Sequence, residues 1–145
     1  MKERMNIDRA EPGIYKAMDA ADKLVATFGL DKKLVELVRL RVSQINGCGY
    51  CVDMHSADAV KAGETHKRVF AMSAWWETPF FSDKERAAFK LIEEVTLIAN
   101  MGVSEDTYQE ARRHFSDTEI TQLIFTATAT GSWNRIAISV HMIAE

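Results

Sequence analysis

The chain has 145 residues and a mass of 16.4 kDa, which predicts one compact domain over residues 1–145. Hydrophobic residues make up 47% and charged residues 27%, a balance typical of globular rather than disordered proteins. The net charge of −3 and the absence of a Lys/Arg run exclude a basic surface for nucleic acid. No apolar stretch approaches the roughly 18 residues of a membrane span. The charged N-terminus lacks a signal peptide's apolar segment, so a cytoplasmic protein is expected.

Helix start signals recur along the chain and predict an all-α fold. Asp31 precedes KKLVELVRLRVSQI as an N-cap. Ser82 and Glu85 form a capping-box pattern ahead of a long amphipathic segment, and Ser116 and Glu119 repeat the pattern before ITQLIFTATAT. A strand could compete only in this last β-branched run, but its length and its cap favour a helix.

Glycines predict where the helices end. Gly29 and Gly63 follow helical segments as stop signals. Asn46-Gly47 is a breaker pair, in which Asn46 could also cap the following helix. Gly131-Ser132 is expected to kink or break the chain ahead of a final helix, WNRIAISVHM. The seven or eight helices predicted in this way cover about residues 12–28, 32–45, 48–62, 65–76, 82–101, 104–115, 117–130 and 133–142.

Both cysteines of the chain lie in one ten-residue segment, NGCGYCVDMH. Cys48 and Cys51 have C-x-x-C spacing, and His55 follows four residues later. Positions three and four apart are neighbours on a helix, so the three side chains share one face. A helix start favours a thiolate over a thiol, and His55 is placed to accept or return the proton of Cys51. The helical Cα separation of roughly 5–6 Å also permits a disulfide.

The C-x-x-C pair has other interpretations besides redox chemistry. A closed zinc site would need two histidines as well, but ten residues and a glycine turn separate His55 from His66. Two buried, inert cysteines are a further alternative. Attachment of c-type haem is excluded because Val52 follows the second cysteine. A structural disulfide closing so short a loop would contribute little in a cytosolic protein, so redox chemistry is favoured.

The cysteine segment and its surroundings resemble a known family. The stretch Glu36…Cys48-Gly-Tyr-Cys51-x-x-x-His55, followed by Ala-x-x-x-Ala-Gly63, closely resembles the alkylhydroperoxidase D-like branch of the carboxymuconolactone decarboxylase superfamily. The charged SDKERAAFKLIEEVT segment and the terminal WNRIA extend the resemblance over most of the chain. Decarboxylase members generally lack the cysteine pair, so its presence favours the peroxidase branch.

The resemblance implies a thiol-dependent peroxidase that reduces hydrogen peroxide or organic hydroperoxides. The thiolate matching Cys51 would attack the peroxide, and Cys48 would condense with the resulting sulfenic acid. His55 and the glutamate matching Glu36 would form a proton relay. An external dithiol, lipoyl-linked in the best-known members, would restore the thiols, with no cofactor and no metal ion. Family members form trimers or hexamers, so a homotrimer or homohexamer is expected.

Two positions fit this resemblance less directly. Tyr50 stands where the best-studied members have a histidine, and a phenol is a poorer base at neutral pH. On a helical wheel Glu36 falls opposite the apolar stripe of its helix. The residues alone therefore predict a solvated carboxylate paired with Lys32 or Arg39, and only the family match makes Glu36 a site residue.

Spacing alone does not decide which cysteine attacks. The helix dipole favours a thiolate at Cys48, which is nearer the helix end, whereas His55 favours a thiolate at Cys51, which is nearer the imidazole; these effects are opposed. The resemblance favours Cys51 as the attacking thiol. The alternative functions are a carboxymuconolactone decarboxylase-like enzyme that merely retains the cysteines, and a non-catalytic redox-sensing or zinc-binding protein.

Overall fold

The computed structural model describes residues 2–144, and over this range every regular element is helical. This confirms the all-α prediction. Eight α-helices and one 3₁₀ helix follow one another: α1 (Ile7–Ala10), α2 (Pro12–Val25), α3 (Lys32–Asn46), α4 (Gly49–Lys61), α5 (His66–Ala71), the 3₁₀ helix (Met72–Glu77), α6 (Asp83–Thr96), α7 (Glu105–His114) and α8 (Asp117–Val140). None of these helices is both long enough and apolar enough to cross a membrane.

The predicted caps begin their helices as expected. The side chain of Asp31 accepts the backbone N–H of Leu34 at 3.0 Å, which satisfies one free amide at the start of α3. Reciprocal capping boxes begin α6 and α8, where Ser82 pairs with Glu85 and Ser116 pairs with Glu119. Local side-chain chemistry is thus sufficient to place these three helix starts.

The last helix differs from the prediction, because α8 runs unbroken for 24 residues through Gly131-Ser132. Gly131 is buried, and a Cβ built there would lie 3.2 Å from Nη1 of Arg135. That guanidinium donates to the carbonyl of Gly131 at 3.0 Å. The glycine therefore provides room for a close side-chain contact within the helix, and tertiary packing outweighs its low helix propensity.

Other helix boundaries also differ from the sequence prediction: α2 ends at Val25 rather than near residue 28, and the predicted helix over residues 65–76 is divided into α5 and the 3₁₀ helix. α6 ends at Thr96 rather than near residue 101. Glu94 accepts hydrogen bonds from the Ser104 amide and the Thr107 hydroxyl, both at 2.7 Å. Because these bonds hold the start of α7 against α6, the chain has to reverse direction soon after Thr96. Asn46 is not a cap: it is the last residue of α3, and Cys48 takes the N-cap position of α4. The short helix α1 was not predicted.

Helix α3 lies at the centre of the fold and packs against α4, α6 and α8. Its fully buried side chains include Leu37, Val38 and Leu40. Since α4 and α8 pack on this same central helix, their side chains are brought together around its polar positions. The functional groups described below lie there.

A buried polar cluster joins α8 to α3. Asn134 is fully buried; its amide donates to the hydroxyl of Ser43 at 3.1 Å, and its carbonyl oxygen accepts from Asn46 at 2.9 Å. A buried polar group without a partner is costly, so these bonds favour one rotation of α8 against α3.

Replacing Asn134 with alanine is expected to lower the free energy of unfolding by about 1–3 kcal/mol, because Ser43 and Asn46 lose their partner. Urea titration of both proteins measures the difference. Asn100 is exposed, and Asn100→Ala is the matched control, expected to change stability by no more than about 0.5 kcal/mol. Equal stabilities of the Asn134 variant and the unmodified chain would contradict this account.

Candidate active site

The two cysteines form a disulfide at the start of α4. Their Cα atoms lie 5.3 Å apart, within the separation expected from the C-x-x-C spacing. Cys48 is the N-cap residue, and its Sγ accepts the backbone N–H of Cys51 at 3.3 Å. The Cys48 sulfur therefore already accepts a hydrogen bond from a backbone amide at the positive end of the helix dipole.

The two sulfurs differ in their surroundings although both residues are buried. Cys51 lines a cavity of about 230 Å³, whereas Cys48 does not. Both cysteines pack in a small apolar cluster with Ala137 of α8. A small molecule in the cavity would therefore contact Cys51 rather than Cys48.

His55 and Glu36 form a hydrogen-bonded pair between α4 and α3. Nδ1 of His55 lies 2.9 Å from Oε2 of Glu36. His55 is 5% exposed, and the side chain of Glu36 is 16% exposed. His55 also lines the cavity, together with Cys51. The structure thus brings all four sequence-derived candidates, Cys48, Cys51, His55 and Glu36, into one region.

The solvated position that the helical wheel predicts for Glu36 is wrong. Its predicted partner Arg39 is present, with Nη1 3.6 Å from Oε1 of Glu36, but the structure gives no ion pair with Lys32. A helical wheel identifies only the apolar stripe of α3. It does not show that α4 covers part of the polar face, which leaves Glu36 mostly buried.

A chain of polar contacts continues beyond Glu36. Arg39 donates to Oδ1 of Asp22 in α2 at 3.2 Å, and the indole N–H of Trp133 in α8 donates to Oδ2 of the same carboxylate at 2.7 Å. Sequence reasoning missed Asp22 because nothing local distinguishes it from the neighbouring acid Asp19. Three helices therefore hold Arg39 and Asp22 in place behind the Glu36–His55 pair.

The cavity beside Cys51 has a mainly apolar and aromatic wall. The rings of Tyr15 and Trp133 pack edge to face with centroids 5.6 Å apart. Tyr50 lies in the same wall, one residue before Cys51. The remaining apolar lining comes from Met54, Ala137 and Met142. Such a surface suits the carbon skeleton of a small organic molecule.

Glu36, His55 and Asp58 each have one potential metal-ligand atom, and these atoms lie within 4.8 Å of one another. However, Nδ1 of His55 is already hydrogen bonded to Glu36, and the guanidinium of Arg39 lies against the same carboxylate. A metal cation bound to this carboxylate would meet the positive charge of Arg39. The geometry favours a proton-sharing pair over a metal centre.

Fold and site together define a class: small all-helical proteins with a C-x-x-C disulfide at a helix start and a His–Glu pair behind it. The sequence profile of the Carboxymuconolactone decarboxylase family matches residues 12–94. The chain belongs to this family, in its AhpD-like branch.

Individual relatives agree with this assignment. An uncharacterized Bacillus subtilis protein, YdfG, is 36% identical over 140 residues, which is 97% of this chain and 95% of that protein. A crystal structure from Agrobacterium tumefaciens, of unknown function and provisionally assigned as the antioxidant defence protein AhpD, superposes with a TM-score of 0.97 at 36% identity and covers 99% of both chains. Alkyl hydroperoxide reductase AhpD of Coxiella burnetii is 52% identical over 40 residues, 28% of this chain and 23% of that protein. These relationships support an enzyme with a peroxidase-related antioxidant function.

Proposed function

We propose that this chain is a thiol-dependent peroxidase in which Cys51 attacks the substrate and Cys48 resolves the product. The observation that carries the proposal is the shared cavity: Cys51, disulfide-bonded to Cys48, lines it together with His55, and His55 is hydrogen bonded to Glu36. Thiol, base and carboxylate are the groups that peroxide reduction by cysteine needs.

The oxidative half of the reaction starts from the dithiol. His55 takes the proton of Cys51, and the thiolate attacks the terminal oxygen of the hydroperoxide. The O–O bond breaks, a sulfur–oxygen bond forms, and the alkoxide leaves as an alcohol with the proton held by His55. Cys51 is now a sulfenic acid. The thiol of Cys48 attacks its sulfur, the hydroxyl leaves as water with that thiol's proton, and the disulfide forms.

The proton transfers depend on the orientation of His55. With Nδ1 engaged by Glu36, Nε2 is the nitrogen that exchanges the proton. The carboxylate holds the ring in this orientation and stabilises the imidazolium that forms between the two transfers. The Arg39–Asp22 contacts keep Glu36 fixed from the side opposite His55.

An external dithiol completes the cycle in this proposal. Its thiolate attacks Sγ of Cys51, the sulfur in the cavity wall, and the Cys48 thiolate leaves. The second thiol of the reductant then displaces Cys51, so the reductant becomes a disulfide and both cysteines are restored. The Cys51 amide stabilises the departing Cys48 thiolate. A lipoyl-linked reductant and a homotrimer or homohexamer are further parts of the proposal, supported by the family resemblance.

The mass of the protein after peroxide treatment tests this scheme. The protein is reduced, freed of reductant and exposed to one equivalent of cumene hydroperoxide. We expect a loss of two hydrogens without added oxygen. In Cys48→Ala, which has no resolving thiol, we expect the gain of one oxygen on Cys51 instead. Peptide mapping separates this gain from methionine oxidation, and a wild-type protein that keeps both free thiols would overturn the proposal.

A further inference from the structure

The size of the cavity beside Cys51 points to a substrate larger than hydrogen peroxide. Its volume of about 230 Å³ approaches the lower end of small-molecule pockets, roughly 300–1,000 Å³. The edge-to-face pair of Tyr15 and Trp133 is held in place because the Trp133 indole is hydrogen bonded to Asp22. A rigid aromatic wall of this kind stabilises an organic group and gives no advantage to hydrogen peroxide.

The charged groups around the cavity are predominantly acidic. Asp22 faces it from α2, Glu36 lies just behind it on α3, and Asp58 faces it from α4. Arg39 of α3 is the cation in the wall, and its two terminal nitrogens contact Glu36 and Asp22. Three carboxylates and one guanidinium thus lie in or just behind the wall, and the lining from α8 is uncharged.

Two carboxylates partly offset the positive charge of Arg39. One terminal nitrogen lies 3.6 Å from Glu36 and the other 3.2 Å from Asp22, and Nε is buried and therefore out of reach of an incoming anion. Asp58 forms an ion pair with Lys61 at 3.0 Å, and water screens this pair because the side chains are 40% and 76% exposed. A ring nitrogen of His55 lies within 4.8 Å of the Asp58 carboxylate. An anionic substrate entering the cavity therefore meets net negative charge.

We infer that Asp58 makes this cavity discriminate against organic hydroperoxides that carry a carboxylate. The inference rests on the proposed peroxidase function and adds a selectivity residue to it. The aromatic wall contributes the affinity for the carbon skeleton. The acidic groups contribute the selectivity, since a like charge within several ångströms raises the free energy of the bound substrate.

The test uses two substrates of the same shape that differ in charge: cumene hydroperoxide and the same molecule with a para carboxylate. At low ionic strength we expect kcat/KM to be about tenfold higher for the neutral substrate. Adding 0.5 M salt, at which the Debye length is on the order of 4 Å, is expected to narrow this ratio. A ratio near one, or a ratio that salt does not change, would overturn the inference.

Substitution of Asp58 tests its role directly. Asp58→Asn is expected to raise kcat/KM for the carboxylated substrate several-fold relative to the neutral one. Asp53→Asn is the matched control, because Asp53 is an exposed acid on the same helix that does not line the cavity. An equal change in both variants would show that only net charge matters and would contradict the assignment of Asp58.

The outcomes separate this inference from the proposed function. If no peroxide is reduced, hydrogen peroxide included, the proposed function itself is wrong. If hydrogen peroxide is reduced with a higher kcat/KM than cumene hydroperoxide, the peroxidase stands but the cavity is not its substrate site. The salt dependence of the kcat/KM ratio between the neutral and the carboxylated substrate, measured on the unmodified enzyme, tests the inference even if the Asp58 variant does not fold.

Discussion

Replacing Cys51 with serine is expected to reduce peroxide turnover to the rate without protein. Cys51 is the sulfur in the cavity wall, and a serine hydroxyl at this position neither ionises near neutral pH nor accepts an oxygen atom from a peroxide. Consumption of cumene hydroperoxide in the presence of excess dithiothreitol measures the effect. The substitution is nearly isosteric, so circular dichroism and the unfolding midpoint should change little.

Cys48→Ser is the matched control for this experiment. Without external thiol it should still consume one equivalent of peroxide, because Cys51 remains, and should then stop as a sulfenic acid. The opposite pattern, with an active Cys51→Ser and an inert Cys48→Ser, would assign the attack to the buried N-cap sulfur. The cavity would then not be the route by which the substrate reaches the thiols.

Replacing His55 with asparagine is expected to lower kcat/KM by about 10²–10⁴-fold, the usual contribution of a positioned general acid–base group. Asparagine can still contact Glu36 but cannot carry the thiol proton to the leaving alkoxide. Glu36→Gln is expected to have a smaller effect, on the order of 10–100-fold, since it orients the ring without touching substrate.

His66 provides a control for the histidine substitution. It is exposed on α5 and packs beside Phe70, away from the cavity lining. His66→Asn should retain the activity of the unmodified enzyme. A His55 variant as active as this control would show that the His–Glu pair is structural rather than catalytic.

The elements that the sequence predicts well are those determined by neighbouring residues. The capping boxes at Ser82 and Ser116 need only a partner three residues away. The shared face of Cys48, Cys51 and His55 follows from the pitch of one helix. For the same reason, the Cα separation of the two cysteines could be expected before any tertiary contact was known.

The features that sequence reasoning missed depend on contacts between distant segments. Glu36 is buried because α4 packs on α3, and Asp22 joins the site through α2, which no helical wheel of α3 includes. Trp133, from the distant WNRIA segment, also joins the site because its indole N–H hydrogen bonds to that aspartate. The continuity of α8 through Gly131 likewise depends on an arginine side chain that occupies the space beside the glycine.

The position of Cys48 at the start of α4 has a consequence for the speed of electron exchange. The Cys51 amide already points at this sulfur while the disulfide is intact. When the disulfide opens, the negative charge on the Cys48 sulfur forms next to the Cys51 N–H, which already points at it. Little backbone rearrangement therefore has to accompany the thiol–disulfide exchange. A low reorganisation cost of this kind suits a catalyst that alternates between its two oxidation states in every turnover.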